Sequence, residues 1–228
     1  MDYSPLFISI NTTLVSTFIT FGLGTFAAYR MACYRGKFKS IIDGIFNLPL
    51  VLPPTVLGFF LLLIFGRYGL IGKIFYQFGI SIIFSWSATV IAASVVAFPL
   101  MYKTARGAFE QIDVNIINAA RTLGVSEWKI FYRVTLPLAW PGVAAGTVLA
   151  FARALGEFGA TLMVAGNIPG KTQTIPIAIF FFAEGGQFDK AMYWVMIIVA
   201  VSFAVIFLMN YWLDNQRKFL PKLRGNQQ

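Results

Sequence analysis

The chain has 228 residues, 58% of them hydrophobic, 17% aromatic and only 12% charged, with a formal net charge of +9. Soluble domains carry about 25% charged residues, so this composition excludes an ordinary soluble domain and points to a membrane protein. No histidine is present and Cys33 is the only cysteine, which excludes histidine metal sites, Ser-His-Asp triads, a cysteine zinc site and an intrachain disulfide.

A membrane-crossing helix needs about 20 apolar residues to cover a hydrocarbon core of roughly 30 Å. Five stretches qualify: residues 6–29, 41–65, 86–102, 138–164 and 191–213. Met1, Asp2 and Tyr3 lack the basic start of a cleaved signal, so the first run is expected to remain as a span. The second contains NLPLVLPPTVLG, where Pro49, Pro53 and Pro54 interrupt one helix. Each proline removes a backbone donor and clashes with the preceding turn. Carbonyls freed in a membrane need neighbouring groups or water, and such broken helices often line transport routes. Thr55 and Gly58 follow the proline pair and suggest a narrow polar spot. A merely kinked structural helix would explain the same prolines.

The fourth span contains FARALGEFGAT, residues 151–161. Arg153 and Glu157 are four residues apart and are expected on one helix face. Ionisable groups inside a span are costly and face the bundle interior or water. The pair is therefore either part of a gate, with Thr161 nearby, or a structural ion pair that fixes helix packing. Gly142 and Gly146 form a G-x-x-x-G, which favours close helix approach without naming the partner. A sixth apolar piece, residues 175–183, is too short to cross and is expected to be re-entrant or interfacial.

Lys and Arg gather in cytoplasmic loops. They fall after the first span (Arg30, Arg35, Lys37, Lys39), between the third and fourth (Lys103, Arg106, Arg121, Lys129, Arg133) and in the tail (Arg217, Lys218, Lys222, Arg224). The opposite loops carry only Arg67, Lys73, Lys171 and Lys190. An outside N-terminus and a cytoplasmic C-terminus follow. Spread over three loops in this way, the positive charge argues against nucleic-acid binding. The aspartates, Asp2, Asp43, Asp113, Asp189 and Asp214, lie at span ends or in loops, which disfavours an intramembrane aspartyl protease. Residues 165–172, AGNIPGKT, fit a relaxed phosphate-loop pattern. A true phosphate loop follows a strand and opens a helix, whereas this one follows a membrane helix on the expected external face. No ATP site is expected in the chain.

Residues 118–137, NAARTLGVSEWKIFYRVTLP, form a polar segment between two apolar runs. Ala119 and Ala120 permit close approach, Gly124 permits a sharp turn, and Pro137 suits the start of a helix. The layout A-A-x-x-x-G, nine residues, V-x-L-P resembles the "EAA" loop of permease subunits of bacterial ABC importers. Asn118 stands where that family has an acidic residue, so no charge contact is assigned there. The resemblance implies a helix–turn–helix docking on an ATPase, with Gly124, Val125, Ser126, Glu127 and Trp128 as its exposed turn. LPLVLPPTVLGF (48–59), AARTLG (119–124) and ARALGEFGATLMVAGNIPGKTQTIP (152–176) together resemble molybdate importer permeases. Sulfate and tungstate permeases share much of this signature.

The resemblance covers about residues 10–215. It implies an all-α polytopic membrane helix bundle of about five transmembrane helices plus a short re-entrant or interfacial segment. The whole chain, residues 1–228, would be one transmembrane permease domain, with a docking loop at about 104–137. The implied partners are a second copy of the chain, two ATP-binding cassette ATPases and an external binding protein, in the cytoplasmic membrane of a bacterium or archaeon. The chain itself is expected to hold no catalytic residue, metal or cofactor, with ATP and Mg bound by the partner ATPase. The path or gate is expected at Pro53, Pro54, Thr55, Gly58, Arg153, Glu157 and Thr161, lined by small and hydroxyl groups rather than a cage of positive charge. An ATPase-independent channel is the alternative of another class. The docking loop argues against it.

Overall fold

A computed structural model describes residues 2–219, and every regular element among them is helical. Helix α1 (Ser4–Cys33) starts with a proline in its first turn, where the missing N–H has no intrahelical role. Ser9, Thr12, Thr13, Ser16 and Thr20 recur at helical spacing along one face and are buried. Phe7, Leu14, Phe18, Leu23 and Phe26 are exposed. This reverses the pattern of a soluble helix, because in lipid the hydroxyls need partners inside the bundle. They find them: the Thr12 and Thr89 hydroxyls are 2.8 Å apart, and Thr20 donates to the Ser16 carbonyl at 2.9 Å.

Helices α2 (Lys39–Val51) and α3 (Pro54–Phe65) are bent by 114°. The sequence suggests one interrupted span; the chain instead turns sharply between two helices. Pro49 sits inside α2 without ending it. The turn falls at Leu52 and Pro53, which are both extended, with ψ of 140° and 139°. A residue before proline is driven out of the helical region, and two prolines in succession extend two residues in a row.

Beyond a short helix α4 (Gly72–Gln77), α5 (Trp86–Glu110) forms the centre of the bundle. Its core face is mostly small, with Ala93, Ala97 and Ala105 beside Met101 and Tyr102. Glycines on the neighbouring helices let the backbones close in. A Cβ at Gly24 of α1 would lie 2.7 Å from Met101 Cγ.

Next come α6 (Val114–Thr122), α7 (Glu127–Ile130), a π-helical turn (Phe131–Thr135) and α8 (Leu136–Leu155). A Cβ at Gly142 of α8 would collide with that of Ala108, and one at Gly146 would meet Met101 and Thr104 at 3.2 Å. The partner of the G-x-x-x-G pair is therefore α5 of the same chain. From Glu127 to Leu155 the chain is one 29-residue helical rod. Pro137, expected at the start of a helix, stands in the first turn of α8, which here continues the rod. It offers no N–H to the turn before it, and the backbone passes that point as a π turn. The expected span 138–164 instead ends at Leu155. After the break come α9 (Gly159–Ala165), α10 (Ile175–Glu184) and α11 (Phe188–Phe219).

Four segments are long and apolar enough to cross a membrane: Ser4–Cys33, Trp86–Glu110, Glu127–Leu155 and Phe188–Leu208. The bent pair α2–α3 brings the number to five. Helix α10, at 10 residues, is too short and packs on α11 through Ala178 and Trp194. Lys222 and Arg224 of the basic tail, and the side chains of Arg217 and Lys218, lie outside the described residues.

Candidate functional site

At one end of the bundle the C-termini of α1 and α5 meet the N-termini of α2 and the rod. Arg106 of α5 pairs with Asp43 of α2 and, at 2.8 Å, with Glu110. Tyr29 of α1 packs on Phe131, with ring centroids 4.6 Å apart. From this end projects the Ala-Ala segment. Helix α5 continues through Glu110, so the segment begins after it and residues 104–110, expected in the loop, belong to α5. Asp113 caps α6 by accepting from Asn115 N at 2.9 Å.

No residue of α6 is buried, Ala119 and Ala120 included. Gly124 has φ of +72°, a conformation that disfavours any residue with a Cβ. Val125 N donates to the Ala120 carbonyl at 3.3 Å and closes the turn. Across it, Arg121 grips Glu127 with two bonds, 2.7 and 3.1 Å, and donates to Asn118 at 3.2 Å. Asn118 thus serves the segment internally. The bond to Glu127 raises the Arg121 pKa above its ordinary value. Such a pair in water adds little stability, but it fixes the shape of the turn. Ser126 precedes α7, and beyond it Trp128 is 72% exposed and stacks on Tyr132. Leu123 is 81% exposed, with Val114 and Ile116 exposed nearby in sequence. Exposed apolar groups thus gather on an otherwise polar segment.

Toward the opposite end, two helix breaks touch. A Cβ at Gly159, which opens α9, would lie 3.0 Å from Pro54 Cβ. One at Gly58 would lie 2.6 Å from Met163 Cβ. Gly58 is therefore a packing position between α3 and α9, while Pro53, Pro54 and Thr55 are exposed. Arg153 Nη1 lies 2.8 Å from Glu157 Oε2. The expected pairing is present, but the expected shared helix face is not. Helix α8 ends at Leu155, and Glu157 sits in the break. Its other oxygen, Oε1, accepts from Ala160 N at 2.8 Å, so the carboxylate satisfies a donor at the positive end of α9. One buried side chain ties together the two helices that the break separates.

Thr161 is 1% exposed. It faces Ser9, Thr12, Thr13, Glu157 and Thr174 around a cavity of about 10 Å³. That space suits at most one water, which needs about 10–15 Å³, and is too small for a tetrahedral oxyanion. Thr55, Gly58 and Thr161 thus have three different surroundings: surface, helix contact and closed hydroxyl cluster.

Sequence reasoning missed most of that cluster. After the exposed residues 169–171 of the AGNIPGKT segment the chain turns into the protein: Thr172, Gln173 and Thr174 are buried. Gln173 donates to Asn167 at 2.8 Å, and Ile175 N donates to Ser9 at 2.7 Å. It follows helix α9, with no strand before it. The available signal was the three- and four-residue spacing of hydroxyls along α1, read as an inward face. Among the described residues no group of three His, Cys, Asp or Glu could hold a metal.

A helical bundle of four or five candidate spans, with an exposed helix–turn–helix at one end and helix breaks in contact toward the other, is the build of a multi-pass membrane protein. The pattern of the family described as "Binding-protein-dependent transport system inner membrane component" matches residues 20–218, and the chain belongs to that family. The molybdenum transport system permease protein ModB of Haemophilus influenzae (strain ATCC 51907 / DSM 11121 / KW20 / Rd) is 42% identical over 217 residues, 95% of either chain. ModB of Escherichia coli (strain K12) is 41% identical over 216 residues, 93% of either chain. A Bacillus subtilis (strain 168) chain, YvgM, is 46% identical over 210 residues, 91% of this chain and 92% of that one. Among solved structures, a bacterial ABC transporter involved in the import of alginate superposes with a TM-score of 0.77, at 14% identity, over 95% of this chain and 79% of that one. The MetNI methionine ABC transporter gives 0.72 at 17% identity, over 92% and 94%. At these identities the structures establish a shared fold.

Proposed function

We propose that this chain is the permease subunit of an ATP-driven importer of a tetrahedral oxyanion, molybdate. It works as a homodimer with two ATP-binding cassette ATPases and an external binding protein. ATP and Mg belong to the ATPases. The observation that carries the substrate is the identity of 41–42% across more than nine-tenths of the chain to permeases named for molybdenum transport. The ATPase reading is supported by the exposed apolar helix–turn–helix of α6 and α7. The distribution of basic residues supports a cytoplasmic position for that segment and an outside N-terminus.

The geometry suggests how a pull on the segment reaches the membrane. Helix α6 joins α5 through residues 111–113 and is followed, past Gly124, by the rod from Glu127 to Leu155. At 1.5 Å per residue this 29-residue rod is about 43 Å long. Movement of Trp128 at its foot is carried to Arg153 near its top, where the ion pair meets the break before α9. We assign the gate to that break, with Arg153 and Glu157, and the wall of the path to the facing break at Pro53, Pro54 and Thr55. Gly58 and Thr161 hold the packing behind it.

ATP hydrolysis by the reconstituted complex with its binding protein tests the proposal. Molybdate should stimulate it several-fold. Stimulation by sulfate alone would reassign the substrate. Failure of any ATPase to copurify, with anion flux intact, would replace the importer by a passive channel.

A further inference from the structure

A cleft of about 750 Å³ opens between α1, the docking segment and the foot of the rod. Its size lies within the range of ligand pockets, about 300–1,000 Å³. Its chemistry is graded along α1. Arg30 stands at the segment end with Trp128 and Tyr132 opposite, Thr25 lies deeper, and Phe21 and Phe26 continue the apolar wall. Two polar groups there lack partners. The Thr25 hydroxyl is buried with no hydrogen bond. Arg30 has no carboxylate partner among the described residues, and its guanidinium only overhangs the Phe26 ring at 6.0 Å. The cleft's other two charges, Arg121 and Glu127, neutralise each other. One net positive charge remains, at Arg30.

We propose that this cleft binds one anionic phospholipid. Its phosphodiester pairs with Arg30, and an acyl chain lies along Phe21 and Phe26. The spacing fits: Phe26 is four residues from Arg30, on the same face and about 6 Å along the helix axis, the direction in which a lipid passes from phosphate to acyl chain. Aromatic side chains such as Trp128 and Tyr132 suit the headgroup level, and basic pockets between membrane helices take anionic headgroups. The lipid would also touch Trp128 of the docking segment, so its presence would order that segment. The site rests on the cleft itself and does not depend on the identity of the transported anion.

Cys33, the only cysteine of the chain, is exposed and lines this cleft. Its alkylation by N-ethylmaleimide, read on this chain by mass spectrometry, reports occupancy in the assembled permease–ATPase complex. In vesicles of phosphatidylcholine the thiol should react freely. Phosphatidylglycerol mixed into the vesicles should slow it about tenfold, as for a site roughly nine-tenths occupied. Arg30→Ala should restore the fast rate in the same vesicles, which removes any general effect of surface charge. Gly22→Leu, where an added Cβ meets no atom within 4 Å, should fill the cleft and abolish the difference between the two lipids. Inorganic phosphate added to neutral vesicles should not protect.

Equal rates in both vesicles would overturn the proposal. So would protection in either lipid that appears only when the ATPase is bound, since the ATPase would then be the occupant. Protection that grows with protein density at fixed lipid composition would give the cleft to a second copy and would overturn it equally.

Discussion

Two Arg–Glu pairs of the same chemistry stand at opposite ends of the helical rod, and they do different work. Arg121 and Glu127 bridge a surface turn with both side chains about half exposed. Arg153 and Glu157 bridge a helix break, with the Glu157 side chain only 2% exposed. The first pair can exchange its partner for water at almost no cost. The second cannot do so as freely, because removing Arg153, itself 30% exposed, leaves the Glu157 carboxylate with almost no access to solvent. The lesson is that an ion pair holds a fold where water is excluded and holds a shape where it is not. The exposed pair keeps a docking surface presentable; the buried pair keeps α8 and α9 together.

The sharpest way to break this comparison is a double-mutant cycle at the buried pair. Glu157→Ala leaves Arg153 unpaired and removes the acceptor for Ala160 N. It should destabilise the protein by about 1–3 kcal/mol, chiefly through the stranded N–H, since Arg153 is 30% exposed and can be partly hydrated. Glu157→Gln keeps an acceptor for that N–H and should be milder by about 1 kcal/mol. Arg153→Met together with Glu157→Gln should be less damaging than the sum of the single changes. Thermal unfolding in detergent, followed for all variants, gives the answer. Strict additivity would show that the two charges do not interact.

Packing comes next. A side chain at Gly142 would collide with Ala108 of α5. Gly142→Val should cost about 1–3 kcal/mol through overpacking, with a matching fall in melting temperature. At Gly107 of α5 an added Cβ meets no atom within 4 Å, and Gly107→Ala should leave stability unchanged. Equal losses at the two glycines would mean that α8 does not approach α5 as described.

The pairs also show what the sequence can and cannot reveal. The number of spans was readable because a bilayer imposes a length on apolar runs. So was the partnership of Arg153 and Glu157, because spacing and scarcity of charge combine there. The break between them had one sequence signal, Gly156, which caps α8 just after Arg153 in its last turn, while Glu157 caps α9 only through a three-dimensional contact. Pro137 was legible in the first turn of α8, but the run of α7 into that helix through a π turn was not. Thr161 was singled out for its position beside the charged pair, but its surroundings depend on α1 and on the loop before α10. The α1 hydroxyls come from residues more than 140 positions away, and no local pattern announces that they meet. Gly124, by contrast, was legible because a turn between two short helices leaves glycine as the natural choice.

At the exposed end, the effects should fall on assembly and not on the bundle. Gly124 has φ of +72°, and proline is locked near −65°. Gly124→Pro should reshape the turn, weaken copurification of the ATPase and uncouple transport from hydrolysis, while the spans still insert. Normal assembly and transport in that variant would remove the segment from the coupling route.

The smallest effect on stability should come from Glu127→Ala. Both partners of this pair lie in water, so the freed Arg121 is simply hydrated and the melting temperature should stay within error of the parent. The turn, however, loses the two bonds that fix Arg121 across it. Its docking geometry becomes one of several, and a surface that must be ordered on binding binds more weakly. The expected result is an unchanged melting temperature with reduced ATPase affinity, measured by titrating the ATPase onto the purified permease. Added salt should weaken the parent toward the variant, because the pair is exposed to screening. A fall in melting temperature as large as that of Glu157→Ala would show that exposure does not separate the two pairs, and the comparison would fail at its base.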